Sequence, residues 1–379
     1  MLQAREPAIA ATPARRQVAI VGGGLAGFVA YLTLLHGKVV PGDITIFATE
    51  PDPAGAWRRR ANAIRQREMR SESDGHCLPR SFPGLAVRAA KQQGLVPLAL
   101  SICNRYHPTI EEFLAHVDEL REHSGWDTRL LLRRVARARP VDGGFALDGH
   151  GVFQHVLLAT GHPGLAVPAE LAGDSRVVHA YDPHEYADTV AIVGAGMAAA
   201  TEWLNALAAG ARVTSVRRHE PDRRPLNVPR DLFSRRGLAR YHATDWRERA
   251  ELLERLLGPS YPPGRMWDEP LEKAAHAGRF RIAGSVDGEE QVICATGFLD
   301  AVGHDPLLTA LVRDHGLETC RCRLVLDDDS TVPGLTSAER TLAVAGKPAQ
   351  WAYPAADTLV GMKYAARGFL RRVIACPTR

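Results

Sequence analysis

Two short stretches combine residue types and spacing that can do chemistry. The first is Gly22-Gly23-Gly24-Leu25-Ala26-Gly27, and the second is Gly194-Ala195-Gly196-Met197-Ala198-Ala199. Each follows an apolar run and opens an amphipathic one, as a strand–turn–helix would. In such a turn the first glycine permits the reversal and the second lets backbone approach a pyrophosphate. The third small residue lets the helix pack close on its strand. The helix's first amides then face the ligand and favour an anion. Gly22, Gly24 and Gly27 fill these roles in the first stretch, with Gly23 and Ala26 beside them. Gly194 and Gly196 fill them in the second, where Ala199 replaces the third glycine and Met197 and Ala198 open the helix. The chemistry implied is the holding of a dinucleotide. The alternative is a glycine-rich turn with no ligand.

Other residues extend this reading. Arg212–Val216 reads as the strand after the second turn, and Arg217 and Arg218 stand at its end. An acid there favours NAD, whereas arginine can grip the 2′-phosphate of NADP bidentately, so the expectation is NADPH. A solvated arginine pair is the alternative. In the first unit Asp43–Phe47 is the corresponding strand, followed by Ala48. Glu50 either takes the ribose hydroxyls from a shifted position or is an exposed loop glutamate. Trp57 closes the loop Pro51–Trp57 and either covers one side of the pocket or sits in the core. Arg58, Arg59 and Arg60 meet phosphate or form a solvated face. Met69–Gly84 has neither helical nor strand period and mixes reactive side chains with turn formers. It is expected to be an ordered loop lining a cavity, with Asp74, His76 and Arg80 as candidate catalytic residues; an ordinary surface loop is the alternative.

The elements that must position these groups are readable. Val18–Val21 is a buried strand and Leu25–His36 a helix stopped by Gly37. Thr109 and Glu112 form a capping box for a helix whose Ile110, Phe113, Val117 and Leu120 share a face, ended by Gly125. Leu130–Arg137 and Gly144–Asp148 read as strands of a small antiparallel ribbon. Val156–Ala159 is a strand running into Thr160-Gly161. Thr189–Val193 leads into the second turn, whose helix runs to about Ala209. Residues 220–280 are Arg- and Pro-rich, with an amphipathic helix in Thr244–Gly258. This helical insertion is a substrate lid, an oligomer contact or a solvated face. Gln291–Ala295 is a strand that again runs into Thr296-Gly297.

The order of these motifs resembles the two-dinucleotide-binding-domain flavoproteins across nearly the whole chain. The resemblance implies an α/β fold with two Rossmann-like dinucleotide-binding domains, the NADPH domain inserted into a discontinuous FAD domain. The boundaries expected are 17–165 and 291–379 for FAD and 166–290 for NADPH. It further implies FAD at the first turn and NADPH at the second, with both Ala-Thr-Gly strand ends against the flavin. Gly346 matches the family's Gly-Asp at the ribityl chain, although Lys347 replaces the aspartate. Asp357 and Thr358 would open a closing helix facing the isoalloxazine. Val178–His184 resembles, in degenerate form, the F-x-G-x-x-x-H fingerprint of class B flavin-dependent monooxygenases, with His184 at the histidine position. Activity of that kind inserts one oxygen atom from O2, through a flavin C4a-hydroperoxide, into N, S or a ketone of a small-molecule substrate. Two other readings stand beside it: a disulfide or quinone reductase, and a non-catalytic FAD/NADP binder. No Cys-x-x-Cys supports the disulfide reductase.

Composition bounds the rest. The 379 residues are 45% hydrophobic and 24% charged, with net charge +4, which is too mild to argue for nucleic acid. Six scattered cysteines suggest neither a disulfide framework nor a metal site, so a reducing cytoplasm is expected. Residues 1–16 lack an apolar signal core and read as a disordered tail. No run is long enough to cross a bilayer, so the expected partners exclude membrane and nucleic acid and leave room for a homodimer.

Overall fold

The computed structural model describes residues 17–70, 75–80, 84–103, 105–226 and 228–376; the expected tail at 1–16 lies outside the described residues. β1 (Val18–Val21) is buried along its whole length and feeds α1 (Leu25–His36). β2 (Ile44–Ala48) pairs parallel with β1. The Pro51–Trp57 stretch departs from expectation, because Gly55–Ala63 is a helix, α2, that carries Trp57 in its first turn. Pro51 and Pro53 precede it, and Asp52 Oδ1 accepts from Ala54 N at 2.9 Å. The turn formers there mark a helix start rather than a loop.

α3 (Gly84–Gln93) and α4 (Val96–Ile102) make a helical hairpin, and α5 (Ile110–Ser124) begins at the expected capping box. β3 (Leu130–Leu132) is not part of the ribbon but adds to β2 in parallel. The antiparallel ribbon is β4 (Ala138–Val141), β5 (Gly144–Leu147) and β6 (Gly151–Phe153). β7 (His155–Leu158) then returns beside β1.

The second unit comprises β8 (Val177–His179), β9 (Thr189–Val193), α6 (Met197–Ala208) and β10 (Arg212–Val216). The chain then leaves its sheet through β11 (Asp222–Arg223), α7 (Arg235–Ala243), α8 (Trp246–Leu256) and β12 (Ser260–Tyr261). α9 (Arg265–His276) and β13 (Phe280–Ala283) return it, and β13 pairs parallel with β10. The insertion is therefore narrower than 220–280. β14 (Gln291–Cys294) lies between β9 and β8, so the return crossing comes after Gly297 and not at residue 291.

The last segment contains α10 (Ala301–His304), α11 (Pro306–His315), the hairpin β15 (Thr319–Cys320) and β16 (Arg323–Leu324), β17 (Thr341–Val344) and α12 (Leu359–Ala375). The first sheet has the order β17-β7-β1-β2-β3 and the second β13-β10-β9-β14-β8. Both are parallel, and the first is covered on both faces: Ala19 and Val21 enter a core shared with Phe145, Leu147 and Phe153 of the ribbon, while Val18 and Ile20 enter one shared with α1, α5 and α12. The insertion's buried side belongs to the first unit. Leu238, Tyr241, Leu253 and Leu256 share a core with Leu307, Leu308 and Trp351. Tyr241 Oη donates to Trp351 O at 2.8 Å, and His242 Nε2 lies 2.8 Å from Ala352 O. That side of α7 and α8 is thus neither a lid nor an oligomer contact.

Candidate active site

The two glycine turns are built alike. Gly22 (φ 117°) and Gly194 (φ 130°) adopt the left-handed region that side chains avoid. A Cβ on Gly22 would drive into Ala159 O, and one on Gly194 into Ala295 O. Those alanines are the first residues of the two Ala-Thr-Gly segments. Each turn is thus clamped by its neighbouring strand, through Ala159 N→Val21 O at 2.7 Å and Ala295 N→Val193 O at 2.8 Å. Gly27 lies on Gly22 O too tightly for a Cβ, while Ala199 fills the equivalent place fully buried. Gly24 differs: its backbone (φ −77°, ψ −173°) suits any residue, and a Cβ there would meet nothing within 4 Å. Nothing in the protein requires glycine at 24; the free space is what a pyrophosphate needs. Gly196 has the same backbone (φ −87°, ψ −168°), and its nearest neighbour is Pro259 Cα at 4.0 Å.

A cavity of about 970 Å³ starts at the first turn. Gly22, Gly23, Gly24, Ala26, Glu50, Trp57, Thr160, Gly161, Gly346 and Asp357 all line it. Glu50 is held by Arg59 at 2.7 Å, with its carboxylate one-third exposed. Trp57 meets Phe113 edge-on at 4.9 Å while also lining the cavity, so it serves core and wall together. Thr358 stands outside the wall as the cap of α12, its Oγ1 accepting from Gly361 N at 3.2 Å.

Of the candidate catalytic residues, the two described ones, His76 and Arg80, are not brought to this cavity. Asp74 lies outside the described residues. His76 is buried beside His116, ring centroids 4.4 Å apart, and Lys363 Nζ donates to its carbonyl at 2.7 Å. Burial, then the neighbouring His116 and Lys363 charges, push His76 down to about 3. Arg80 is exposed. His76 and Arg80 both fall outside the cavity wall because the segment folds back against α5 and α12.

His162, Tyr181 and Phe298, which the sequence reading did not single out, stand there instead, together with Arg60, which it read as meeting phosphate or forming a solvated face. His162 stacks on Phe298 at 3.6 Å, Tyr181 lies parallel to Phe298 at 5.1 Å, and the Arg60 guanidinium sits 5.0 Å over the same ring. His162 and Phe298 each directly follow an Ala-Thr-Gly, so the internal repeat was the signal that could have found them. Burial, then Arg60 and Lys347, push His162 down to about 3, which keeps its imidazole neutral. Its Nδ1 and the Thr160 Oγ1 are buried with no partner among the described residues. Lys347 donates to Phe298 O at 3.1 Å and Leu299 O at 3.3 Å, and burial lowers its pKa. Asp357 lines the cavity with an exposed side chain, and desolvation by the protein packed around it raises its carboxyl. The open glycine shelf at Gly24 fits a phosphate-bearing ligand.

The two chain crossings run side by side. Leu165 bridges antiparallel to Phe298, with Ala166 N→Gly297 O and Leu299 N→Gly164 O both at 3.0 Å. Thr296 Oγ1 donates to Ala166 O, and Gly297 (φ 79°) mirrors Gly161 (φ 75°).

Met197 and Ala198 open α6 at the second turn, away from the cavity. Arg217 is nearly buried, paired with Glu220 at 2.6 Å and 5.8 Å over Trp203; Arg218 is 82% exposed beside Glu170. His184 is also off the cavity. Its Nε2 lies 3.0 Å from Glu202 Oε2, with the two side chains 3% and 0% exposed, and Tyr186 Oη donates to the same oxygen at 2.8 Å. Burial pulls the His184 pKa down, but the Glu202 hydrogen bond, the Asp182 carbonyl and the Glu202 charge together raise it above the ordinary value. A raised folded pKa gives stability that is present in full below the unfolded pKa and lost as pH rises through the folded one. Between pH 6 and pH 9 the wild type should therefore lose about 2 °C more in Tm than His184→Asn. Parallel melting curves for the two proteins would refute the charged pair.

No protein-family model matches the sequence, and no curated protein is similar to it. Solved structures do match. The Kutzneria sp. 744 ornithine N-hydroxylase, in complex with reduced FAD, NADP⁺ and L-ornithine, is 14% identical at a TM-score of 0.70, covering 95% of this chain and 99% of its own. The ornithine hydroxylase of Pseudomonas aeruginosa is 16% identical at 0.68, covering 94% and 99%. The bacillithiol disulfide reductase of Bacillus cereus is 15% identical at 0.61, covering 94% and 98%. The chain therefore shares the α/β fold of these solved structures, two parallel-sheet units with the second inserted into the first.

Proposed function

We propose that the protein is an FAD- and NADPH-dependent monooxygenase acting on a small molecule. The observation that carries this is the repeated device of a left-handed glycine clamped on an Ala-Thr-Gly carbonyl. Its two copies end in aromatic side chains stacked on one another at the cavity wall. FAD, when bound, accepts hydride from NADPH and activates O2. The chain's own part is to bind, orient and dry the site. Gly22 to Gly24 and the first amides of α1 hold the pyrophosphate. Thr160 and the neutral His162 line the cavity wall beside the glycine turn. Phe298, Tyr181 and Trp57 exclude water, which a reactive oxygen species requires.

The hydroxylases named above act on ornithine, so an amine-bearing amino acid is the first substrate to test. N-oxygenation, S-oxygenation and Baeyer–Villiger oxidation are separated by a substrate screen. The test scores NADPH consumption against hydrogen peroxide release, because only a true substrate couples the two. Among the described residues no cysteine lines the cavity, and burial pushes the Cys77 thiol up to about 12, which argues against a dithiol exchange at this site. Reduction of a disulfide or quinone without O2 uptake would replace the oxygenase reading; FAD and NADP(H) binding without turnover would leave a non-catalytic binder.

Arg217, at the end of β10, is the residue to which this reading gives the choice of NADPH. Arg217→Ala should raise KM for NADPH by roughly tenfold, the worth of one charge-assisted phosphate contact, and leave KM for NADH unchanged. Equal losses with both nucleotides would remove the assignment.

A further inference from the structure

The α3–α4 hairpin carries the two most exposed large apolar side chains among the described residues, Ile102 at 81% and Leu95 at 77%. Val96 at 65%, Val87 and Leu100 are exposed on the same hairpin. Single exposed apolar residues are ordinary, but a cluster on one short element marks a contact surface. The charges around it point to the kind of partner. Residues 75–110 contain Arg80, Arg88, Lys91 and Arg105 and no aspartate or glutamate. Arg88 is committed to Glu119. Lys91 and Arg105 are exposed and make no ion pair among the described residues. A second copy docked tip to tip would set these cations against their own images, whereas an anionic surface would satisfy them. An apolar helix face flanked by lysine and arginine is the arrangement of helices that lie in a lipid interface.

We infer that the α3–α4 hairpin docks peripherally on an anionic lipid surface. Leu95, Val96 and Ile102 enter the headgroup boundary, and Lys91 and Arg105 meet lipid phosphates. This differs from spanning: among the described residues no helix is long and apolar enough to cross a membrane. The absence of a spanning run, on which the expectation of no membrane partner rested, does not bear on a peripheral contact.

The test is sedimentation of the full-length protein with sucrose-loaded vesicles. One set is phosphatidylcholine alone, and the other is phosphatidylcholine with phosphatidylglycerol at equal parts. The protein should bind the anionic vesicles at least tenfold better, and 0.5 M salt should weaken that binding. Leu95→Asp with Ile102→Asp should abolish it, and Lys91→Gln with Arg105→Gln should cut it severalfold. All four positions are exposed, so an unchanged Tm shows that the fold is kept. Equal sedimentation with both vesicle types, or anionic binding that survives the paired substitutions, overturns the inference. So does an oligomer on gel filtration that Leu95→Asp dissociates, if vesicles are not bound; the surface would then belong to a second copy.

Discussion

Gly24→Val should give a folded protein that no longer retains FAD. The position has ordinary backbone angles and open space, so the added side chain costs the fold almost nothing. The space it fills is the approach to the first amides of α1, and a valine there holds a pyrophosphate away from those donors. Losing two charge-assisted contacts weakens binding by roughly 100-fold, about 2.8 kcal/mol. The measurements are Tm of the apoprotein, expected within 1–2 °C of wild type, and FAD titration by fluorescence quenching. A variant that binds FAD as tightly as wild type would show that the first turn is only a turn, and the proposed function would lose its site.

Gly22→Ala should fail in the opposite way. Its Cβ would enter Ala159 O, and the residue must keep φ 117° to lead β1 into α1. A left-handed conformation costs roughly 1–3 kcal/mol, and displacing the β1–β7 pairing adds to it. The expected loss is about 3 kcal/mol or more of stability, seen as a shifted urea midpoint, together with the loss of FAD. Gly24→Val and Gly22→Ala thus separate a glycine kept for the ligand from one kept for the chain. If Gly22→Ala unfolds at the wild-type urea concentration, the clamp on Ala159 is not rigid.

The parts of the fold legible in the sequence were those with a local cause. The two strand–turn–helix units, the Thr109–Glu112 cap and the Ala-Thr-Gly strand ends each follow from neighbours a few residues apart. What stayed hidden was decided by distant partners. Leu130–Leu132 is exposed enough to suit a ribbon, yet it completes the first sheet because β2 offers an open edge. β13 was not read as a strand because it follows a long polar detour, although it pairs with β10. α2 was hidden by the prolines before it. The cavity wall was half legible: Glu50, Trp57, Gly346 and Asp357 followed from motif position. Arg60, Tyr181, His162 and Phe298 meet only after both crossings close. His76 carried the right chemistry in the wrong place, since nothing local shows that His116 and Lys363 bury it.

The insertion's attachment has a mechanical meaning. The second unit is fastened to the first at the paired crossings, at Asn205 Nδ2→Ile64 O (2.7 Å), and through α7 at Trp351 and Ala352. One fastening would leave a swivel; three separate fastenings oppose that rotation. On the proposed function, a nucleotide entering beside Gly196 would meet the Pro259 segment, the nearest neighbour of that turn, and these fastenings would resist swinging the second sheet aside to admit it.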